Sequence, residues 1–528
     1  MDARICRIRR AVLAMFVLAG LMFAPCAAGA EPPTPNVDNV ILITIDTLRA
    51  DRLSAYGYDR PTSPNLDRFM ARGTRFEWAF STASYTAPSH ISMMTGLYPS
   101  FTSVGLDNGR FFKLRGKTVT LAELCRDAGM RTAAVVSNPT LNRRLGLHQG
   151  FATYYDMPFD RKKREYIPKN AAVTTEEALI LLEIIYDAPF FLWIHYQDPH
   201  GPYTPPVSLS DFGKPPVPPE QDVMLEPGKD TSGYKAIPTY QVVGDERRLS
   251  QYSRRYDNEI LYLDNQIQKL FAEIDRLGLT YKTLIFITSD HGEAFSEDDY
   301  YFAHSQSVGL DQVRVPLGIV GPGVKPGAVL KSPVTNLDIF ATATDALGLP
   351  QRSQTSARSL TAALRTGREP ATRPIFVESF AQRGVVLNGV FYRADRRPPD
   401  SRIWTVSPTT NGFHKPLGSQ VLRLDGSPPE ARAAAVARAE LDAFSIQAEE
   451  SLRQFFEALL RKPKDERTKA EQNGLRFWKE KLGYDFALED VTPEPDLKPA
   501  LSDEEAAHRR ALISLGYLTA DDEDEDQE

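Results

Sequence analysis

Acidic and imidazole residues stand directly after apolar runs at several places in this chain. Asp46 follows the run 40–45, Asp290 and His291 follow 283–288, and His195, Asp198 and His200 close 190–195. Five of the eight histidines (His90, His195, His200, His291, His304) lie in or beside such segments. Asp46, Asp290 and His291 offer hard oxygen and borderline nitrogen donors with no thiolate beside them, a set that suits Ca²⁺, Mg²⁺, Mn²⁺ or Zn²⁺. An Asp after a strand also caps turns and helices, so each alone is ambiguous. Together they reach one edge of a sheet, and ligands of open α/β sheets bind outside the carboxyl ends of the strands. Thr86 opens Thr86-Ala87-Pro88-Ser89-His90, ahead of a helix-like run over 91–95. It reads as an N-cap with Pro in the first turn. A hydroxyl there sits where free N–H groups stabilise an anion, and a neighbouring metal would convert it to an alkoxide nucleophile. Ser89 is the alternative nucleophile.

The elements that must position these groups follow from periodicity. The run Val40-Ile41-Leu42-Ile43-Thr44-Ile45 is continuous and rich in β-branched residues, as in a strand buried on both faces. Strand-like runs follow at 132–137, 190–195, 283–288 and 315–320, with helical patterns at 64–72, 120–128, 174–185, 249–277 and 337–347. Thr120 and Glu123 form a capping-box pair. Strands alternating with helices predict an α/β fold, a doubly wound and mostly parallel sheet flanked by helices. The Pro-rich stretch 202–240 lacks periodicity and predicts a long surface loop. Short strands at 375–378, 385–387, 390–394 and 420–424 and a helix at 429–460 predict a small C-terminal α+β subdomain.

The chain has 528 residues with 62 basic and 69 acidic side chains, net −7, which does not suggest nucleic-acid binding. Arg4, Arg7, Arg9 and Arg10, an apolar stretch over 11–23 and Ala28-Gly29-Ala30 read as an export signal over 1–30. Phe23-Ala24-Pro25 before Cys26 is a poor lipidation signal. No later segment is long and apolar enough to span a membrane. The mature chain would keep Cys125 alone, without an intrachain disulfide. The predicted organisation is signal 1–30, linker 31–38, catalytic domain 39–370, C-terminal subdomain and helices 371–519, and a solvated acidic tail 520–528. The compartment implied is periplasmic or extracellular.

Several motifs occur in a familiar order: Ile45-Asp46-Thr47-Leu48-Arg49-Ala50-Asp51, Thr62-Ser63-Pro64-Asn65-Leu66-Asp67, Thr86-Ala87-Pro88-Ser89-His90, Thr95-Gly96-Leu97-Tyr98-Pro99, Asp198-Pro199-His200-Gly201-Pro202-Tyr203 and Ser289-Asp290-His291-Gly292-Glu293. His304 with Arg314-Val315-Pro316-Leu317, then Gly321-Pro322-Gly323, completes the set. This series resembles the sulfatase-like branch of the alkaline phosphatase superfamily. The resemblance implies a divalent metal held by Asp46, Asp290, His291 and Thr86, with Thr86 as nucleophile. It places a substrate oxyanion near His200 and His304, which act as catalytic imidazoles, and puts His90, Asn138 and Asp198 at the substrate. Four positions depart from the family pattern. Thr86 replaces the Cys or Ser that becomes formylglycine, and it cannot give that aldehyde. His90 replaces an Arg, Thr47 replaces a second Asp, and the pocket lysine has His304 or Gln306 in its place. Threonine nucleophiles resemble those of the superfamily's phosphodiesterases and phosphotransferases. The function implied is hydrolysis of sulfate or phosphate esters, phosphorus slightly preferred, on a small molecule, glycan or lipid headgroup. An envelope phosphotransferase and an anion- or glycan-binding protein without chemistry are the alternatives.

Overall fold

The computed structural model describes residues 37–463, apart from 103–104, 108–110, 115, 117, 161–164, 214, 351–354, 380 and 397–417. The export signal, Cys26, most of the linker, the last part of the C-terminal subdomain and the acidic tail lie outside the described residues.

Eight strands carry the central sheet: β1 (Asn39–Ile45), β2 (Thr74–Phe80), β3 (Arg131–Val135), β4 (Thr153–Tyr155), β5 (Phe190–Tyr196), β6 (Thr283–Ser289), β7 (Arg314–Val320) and β8 (Ala328–Leu330). Their order is β8-β2-β7-β6-β1-β5-β3-β4, and Val334–Thr335 adds a ninth short strand beside β2 among the described residues. β1 lies between β5 and β6, parallel to both, with Thr44 opposite His195 and Ile45 opposite Ser289. β7 runs antiparallel to β6 and β2. The sheet is therefore mixed but mostly parallel, as the alternating pattern predicts.

Every residue of β1 is buried. Side chains alternate across a strand, so β1 feeds two cores. Val40 and Leu42 join Trp193 and Phe286 on one face, against helices α2 (Thr86–Thr95), α3 (Leu121–Asp127) and α6 (Asp338–Ala346). Ile41, Ile43 and Ile45 join Leu192, Ile194 and Ile285 on the other, against α1 (Pro64–Met70), α4 (Ala171–Ile185) and α5 (Leu249–Arg276). Truncating one such core Ile to Ala costs about 2–5 kcal/mol. Thr120 and Glu123 form the capping box predicted at the start of α3.

After the central sheet come β9 (Ile375–Glu378), β10 (Gln382–Leu387), β11 (Val390–Asp395), β12 (Gln420–Arg423) and helix α7 (Ala431–Arg461). These strands form an antiparallel meander. The meander packs on α7 through Phe376 stacked on Phe444; Phe444 also stands edge-on to Tyr98 and Phe101, and buried Glu378, paired with Arg383 and Arg396, accepts from the Ser100 amide, which ties this part to the earlier chain.

Two expectations need correction. The segment 202–240 is not confined to the surface, because Tyr203 and Ile237 are fully buried. Tyr203 packs edge-on against Tyr256 and Phe302, which anchors the start of the loop. The N-cap of α2 is Tyr85, not Thr86. Thr86 is the first helical residue, so its hydroxyl turns toward His291 and does not cap the helix.

Candidate active site

The carboxyl ends of β1, β3, β5 and β6 point the same way, and the predicted residues emerge there. Asp46 follows β1, Asn138 follows β3, His195 lies near the end of β5, and Asp290 with His291 follows β6. Two tight turns make this possible. Thr47 adopts a left-handed φ of 54°, a conformation that costs a non-glycine residue about 1 kcal/mol. In return its N–H donates to Asp290 Oδ1 at 3.2 Å. At Gly292 a Cβ would stand 2.0 Å from the carbonyl oxygen of Asp311, so only glycine fits.

Thr86 Oγ1 lies 3.1 Å from His291 Nε2. His291 Nδ1 donates to the Gly292 carbonyl at 2.9 Å, which fixes the tautomer and leaves the Nε2 lone pair facing the Thr86 hydroxyl. His291 Nε2 is 3.8 Å from Asp46 Oδ1 and 3.5 Å from Asp290 Oδ2. Those two carboxylate oxygens are buried and accept no hydrogen bond. The other oxygen of each is held: Asn138 Nδ2 donates to Asp46 Oδ2 at 2.7 Å, and the His291 amide donates to Asp290 Oδ1 at 2.8 Å. An unsatisfied buried polar atom costs about 1–3 kcal/mol.

Burial raises the Asp46 carboxyl and pushes Asp290 up to about 7, with the Asp46 charge adding to the second shift. Burial lowers His291 to about 4, so its imidazole is neutral at neutral pH. Two adjacent buried carboxyls, a neutral imidazole and a hydroxyl form a cation-ligand set. The residues thus fit the metal that the sequence implied: Asp46 Oδ1, Asp290 Oδ2, His291 Nε2 and Thr86 Oγ1 are its candidate ligands.

The other predicted residues fall around this centre. Trp193 Nε1–H donates to Thr44 Oγ1, whose O–H donates to His90 Nε2, and His90 Nδ1–H donates to the Thr86 carbonyl, with distances of 3.0, 3.0 and 2.8 Å. His90 therefore holds the backbone of the turn that carries Thr86. His200 donates from Nδ1 to the Gly201 carbonyl at 2.7 Å, and its ring stands 5.2 Å from that of His304. The His304 ring in turn stands 4.4 Å from His291. Asp198 is brought to a different neighbour: its carboxyl meets that of Glu259 on α5. Ser89 is also engaged elsewhere, donating to the Asp290 carbonyl at 2.7 Å and accepting from Asn336.

Sequence reasoning assigned no role to Glu293. Its Oε1 accepts from His304 Nδ1 at 2.9 Å and its Oε2 from Tyr203 OH at 3.0 Å. Its place two residues after His291 was the available signal. His195 and Glu259 were also left unassigned, and nothing in their local sequence marks Glu259.

The family model described as Sulfatase matches residues 38–349. This chain belongs to the sulfatase family. Among the relatives of this sulfatase-family chain is mouse (Mus musculus) iduronate 2-sulfatase, 25% identical over 335 residues, covering 54% of this chain but 59% of the relative's own length. Another is the N-acetylglucosamine-6-O-sulfatase of Bacteroides thetaiotaomicron, 25% identical over 428 residues, 67% of this chain and 75% of the relative. The phosphonate monoester hydrolase of Agrobacterium radiobacter has a similar fold, with a TM-score of 0.57 at 19% identity, covering 78% of this chain and 96% of that one. No described helix is long and apolar enough to cross a membrane.

Proposed function

We propose that this sulfatase-family chain is a metal-dependent ester hydrolase that uses Thr86 as its nucleophile and prefers phosphorus esters to sulfate esters. The observation that carries the proposal is the placement of Thr86 Oγ1 3.1 Å from His291 Nε2, beside the unpartnered oxygens of Asp46 and Asp290. A divalent ion among Ca²⁺, Mg²⁺, Mn²⁺ and Zn²⁺, when bound there, supplies Lewis acidity and lowers the hydroxyl pKa. Among these ions the imidazole in the set favours Zn²⁺.

Thr86 Oγ1, its hydroxyl proton released to solvent, attacks phosphorus (or sulfur), forming the Oγ1–P bond as the bond to the leaving ester oxygen breaks. The N-terminus of α2 lies at Thr86, so the helix dipole favours the charge that develops there by roughly 1 kcal/mol. His304 protonates the leaving oxygen from Nε2, while its Nδ1–H stays on Glu293. Burial alone pushes His304 down to about 3, but an anionic ester in the site favours the imidazolium by Coulomb attraction. His200, whose Nδ1–H is tied to Gly201, is placed to contact the oxyanion. Water, giving a proton to His304 Nε2, then attacks the Thr86 ester; the P–Oγ1 bond breaks and Oγ1 takes up a proton from solvent, which restores the hydroxyl.

The preference for phosphorus rests on Thr86, which cannot be converted to formylglycine, and is in keeping with the phosphonate monoester hydrolase that shares the fold. An ester on a small molecule, glycan or lipid headgroup is the substrate class, and residues 1–30 as an export signal put the enzyme in the periplasm or outside the cell. The test is an assay of metal-reconstituted protein on matched nitrophenyl sulfate, phosphate monoester, phosphate diester and phosphonate. A phosphorus ester should turn over fastest. A clear lead for the sulfate overturns the preference, and no turnover of any of the four overturns the hydrolase reading.

A further inference from the structure

We propose that Arg393 of the C-terminal meander is a positioning residue for His304: its guanidinium staples both ends of the segment 298–307, so that proton delivery to the leaving oxygen depends on the C-terminal subdomain. His304 as the acid is the reading on which this staple rests.

The segment 298–307 is strained along its length. Asp298, Asp299, Phe302 and Ser305 all take left-handed backbone, with φ of 56°, 68°, 52° and 74°. Asp visits that region readily, Phe does not, and such residues persist only where their surroundings hold them. The long loop 202–240 holds the first half. The Lys235 amide donates to the Asp299 carbonyl at 2.8 Å, and Tyr240 OH donates to the Phe302 carbonyl at 3.1 Å. The half that carries His304 is held from β11 and from the turn before β10. Arg393 Nη2 donates to Asp298 Oδ1 at 2.7 Å, and Nη1 donates to Asp298 Oδ2 and to Ser307 Oγ, the latter at 2.8 Å. Ser307 donates in turn to Asp298 Oδ2 at 2.7 Å, and Ser379 Oγ donates to the Gln306 carbonyl at 3.0 Å.

His304 stands six residues after Asp298 and three before Ser307. Glu293 fixes its ring through Nδ1, but that bond does not fix the backbone that carries it. Arg393 does. It is 7% exposed, and its Nε donates to Gln420 Oε1 on neighbouring β12 at 2.8 Å, so the guanidinium itself is held. A bidentate pair fixed in this way is stronger and more directional than a surface ion pair. His304 Nε2 gives its proton to the oxygen that leaves with the P–O bonding electrons. Releasing the staple lets that proton drift, while Thr86, Asp46, Asp290 and His291 stay on their own elements. A displacement of about 1 Å costs up to about 100-fold in rate.

The metal-loaded full chain is assayed on the nitrophenyl and phenyl esters of one phosphorus acid, with melting temperature and metal per chain read on the same samples. Nitrophenolate leaves without a proton and phenolate gains from one, so a misplaced acid shows as a selective loss on the phenyl ester. His304→Ala should show that selective loss in full. Arg393→Gln should show it in part: kcat on the phenyl ester falls about tenfold, while KM, metal per chain and the nitrophenyl rate stay close to wild type. Asp298→Asn breaks the pair from the other side and should repeat the pattern if Arg393→Gln does not fold. Selective loss in His304→Ala, with equal or no loss on the two esters in Arg393→Gln, overturns the staple and leaves the acid standing. Equal loss on both esters in His304→Ala overturns the acid, and the staple with it. No turnover by the wild type overturns the hydrolase reading and both of these with it.

Discussion

Thr86 Oγ1 and His291 Nε2 face each other at 3.1 Å, both residues fully buried at the ends of elements that converge from opposite parts of the chain. The hydroxyl faces His291 and lies next to two unpartnered carboxylate oxygens, so its removal should affect chemistry far more than metal uptake. Thr86→Ala is expected to lower kcat by about 10⁴-fold or more, as loss of a nucleophile does elsewhere. Thr86→Ser should keep part of the activity. Metal per chain, measured on the same samples, should stay close to the wild-type value. Full activity in Thr86→Ala would falsify the nucleophile assignment.

Asn138 acts on Asp46 through a 2.7 Å hydrogen bond to Oδ2. Its own carbonyl oxygen accepts from the Thr140 amide at 2.8 Å, which fixes the side chain and directs the NH₂ to Asp46. Removing the donor frees the carboxylate to rotate and leaves Oδ2 less satisfied. Asn138→Leu should weaken metal affinity by about 10–100-fold, the usual cost of losing an orienting partner of a ligand. Competition with a chromogenic chelator reads this directly. Unchanged affinity would mean that Asp46 is held by the fold without Asn138.

The same positions show how far the sequence could be read. β1 was legible because burial on both faces forces an unbroken apolar run, and Asp46 was legible because it follows that run directly. Asp290 and His291 were visible for the same reason. β2 was not, because it mixes Arg75 and Glu77 with its aromatic residues: Glu77 pairs with Arg75 and with Arg314 of the neighbouring β7. The cap of α2 was misplaced by one residue because Thr is a good N-cap in isolation, while here His291, over two hundred positions away, claims its hydroxyl. Burial of Tyr203 was hidden by the Pro-rich composition around it. The partner of Asp198 could not be read at all, since Glu259 sits within a helix whose local pattern gives no reason to look inward for a carboxylate.

Glu293 ties His304 to Tyr203, and its carboxyl is pushed up to about 7 by burial. It touches no atom proposed to react, so it acts by orienting His304. Glu293→Gln keeps the volume but removes the charge that favours an imidazolium at His304. The expected result is a kcat lower by about 10–100-fold with KM little changed. The limb of the pH–rate profile that reports the protonated acid should also move to lower pH, because a less stabilised imidazolium loses its proton earlier. A structural role alone would lower the melting temperature without moving that limb.

Asp198 and Glu259 place two carboxyls in contact inside the protein. Burial is the first cause of both shifts: it raises Glu259 well above its ordinary 4.5, with Asp198 adding to it, and pushes Asp198 up to about 6. Between pH 4.5 and the folded-state values, the native protein therefore holds protons that the unfolded chain has lost. Stability then falls as pH rises through that window, by about 1.4 kcal/mol per pH unit for each full proton retained. Glu259→Gln replaces the proton-sharing acid with an amide that donates to Asp198 at every pH. Its melting temperature should decline less steeply than that of the wild type from pH 5 to pH 8, so that the two curves converge or cross. Thermal melts of metal-free protein across this range decide the matter, and parallel curves would show that the pair is not the source of the slope.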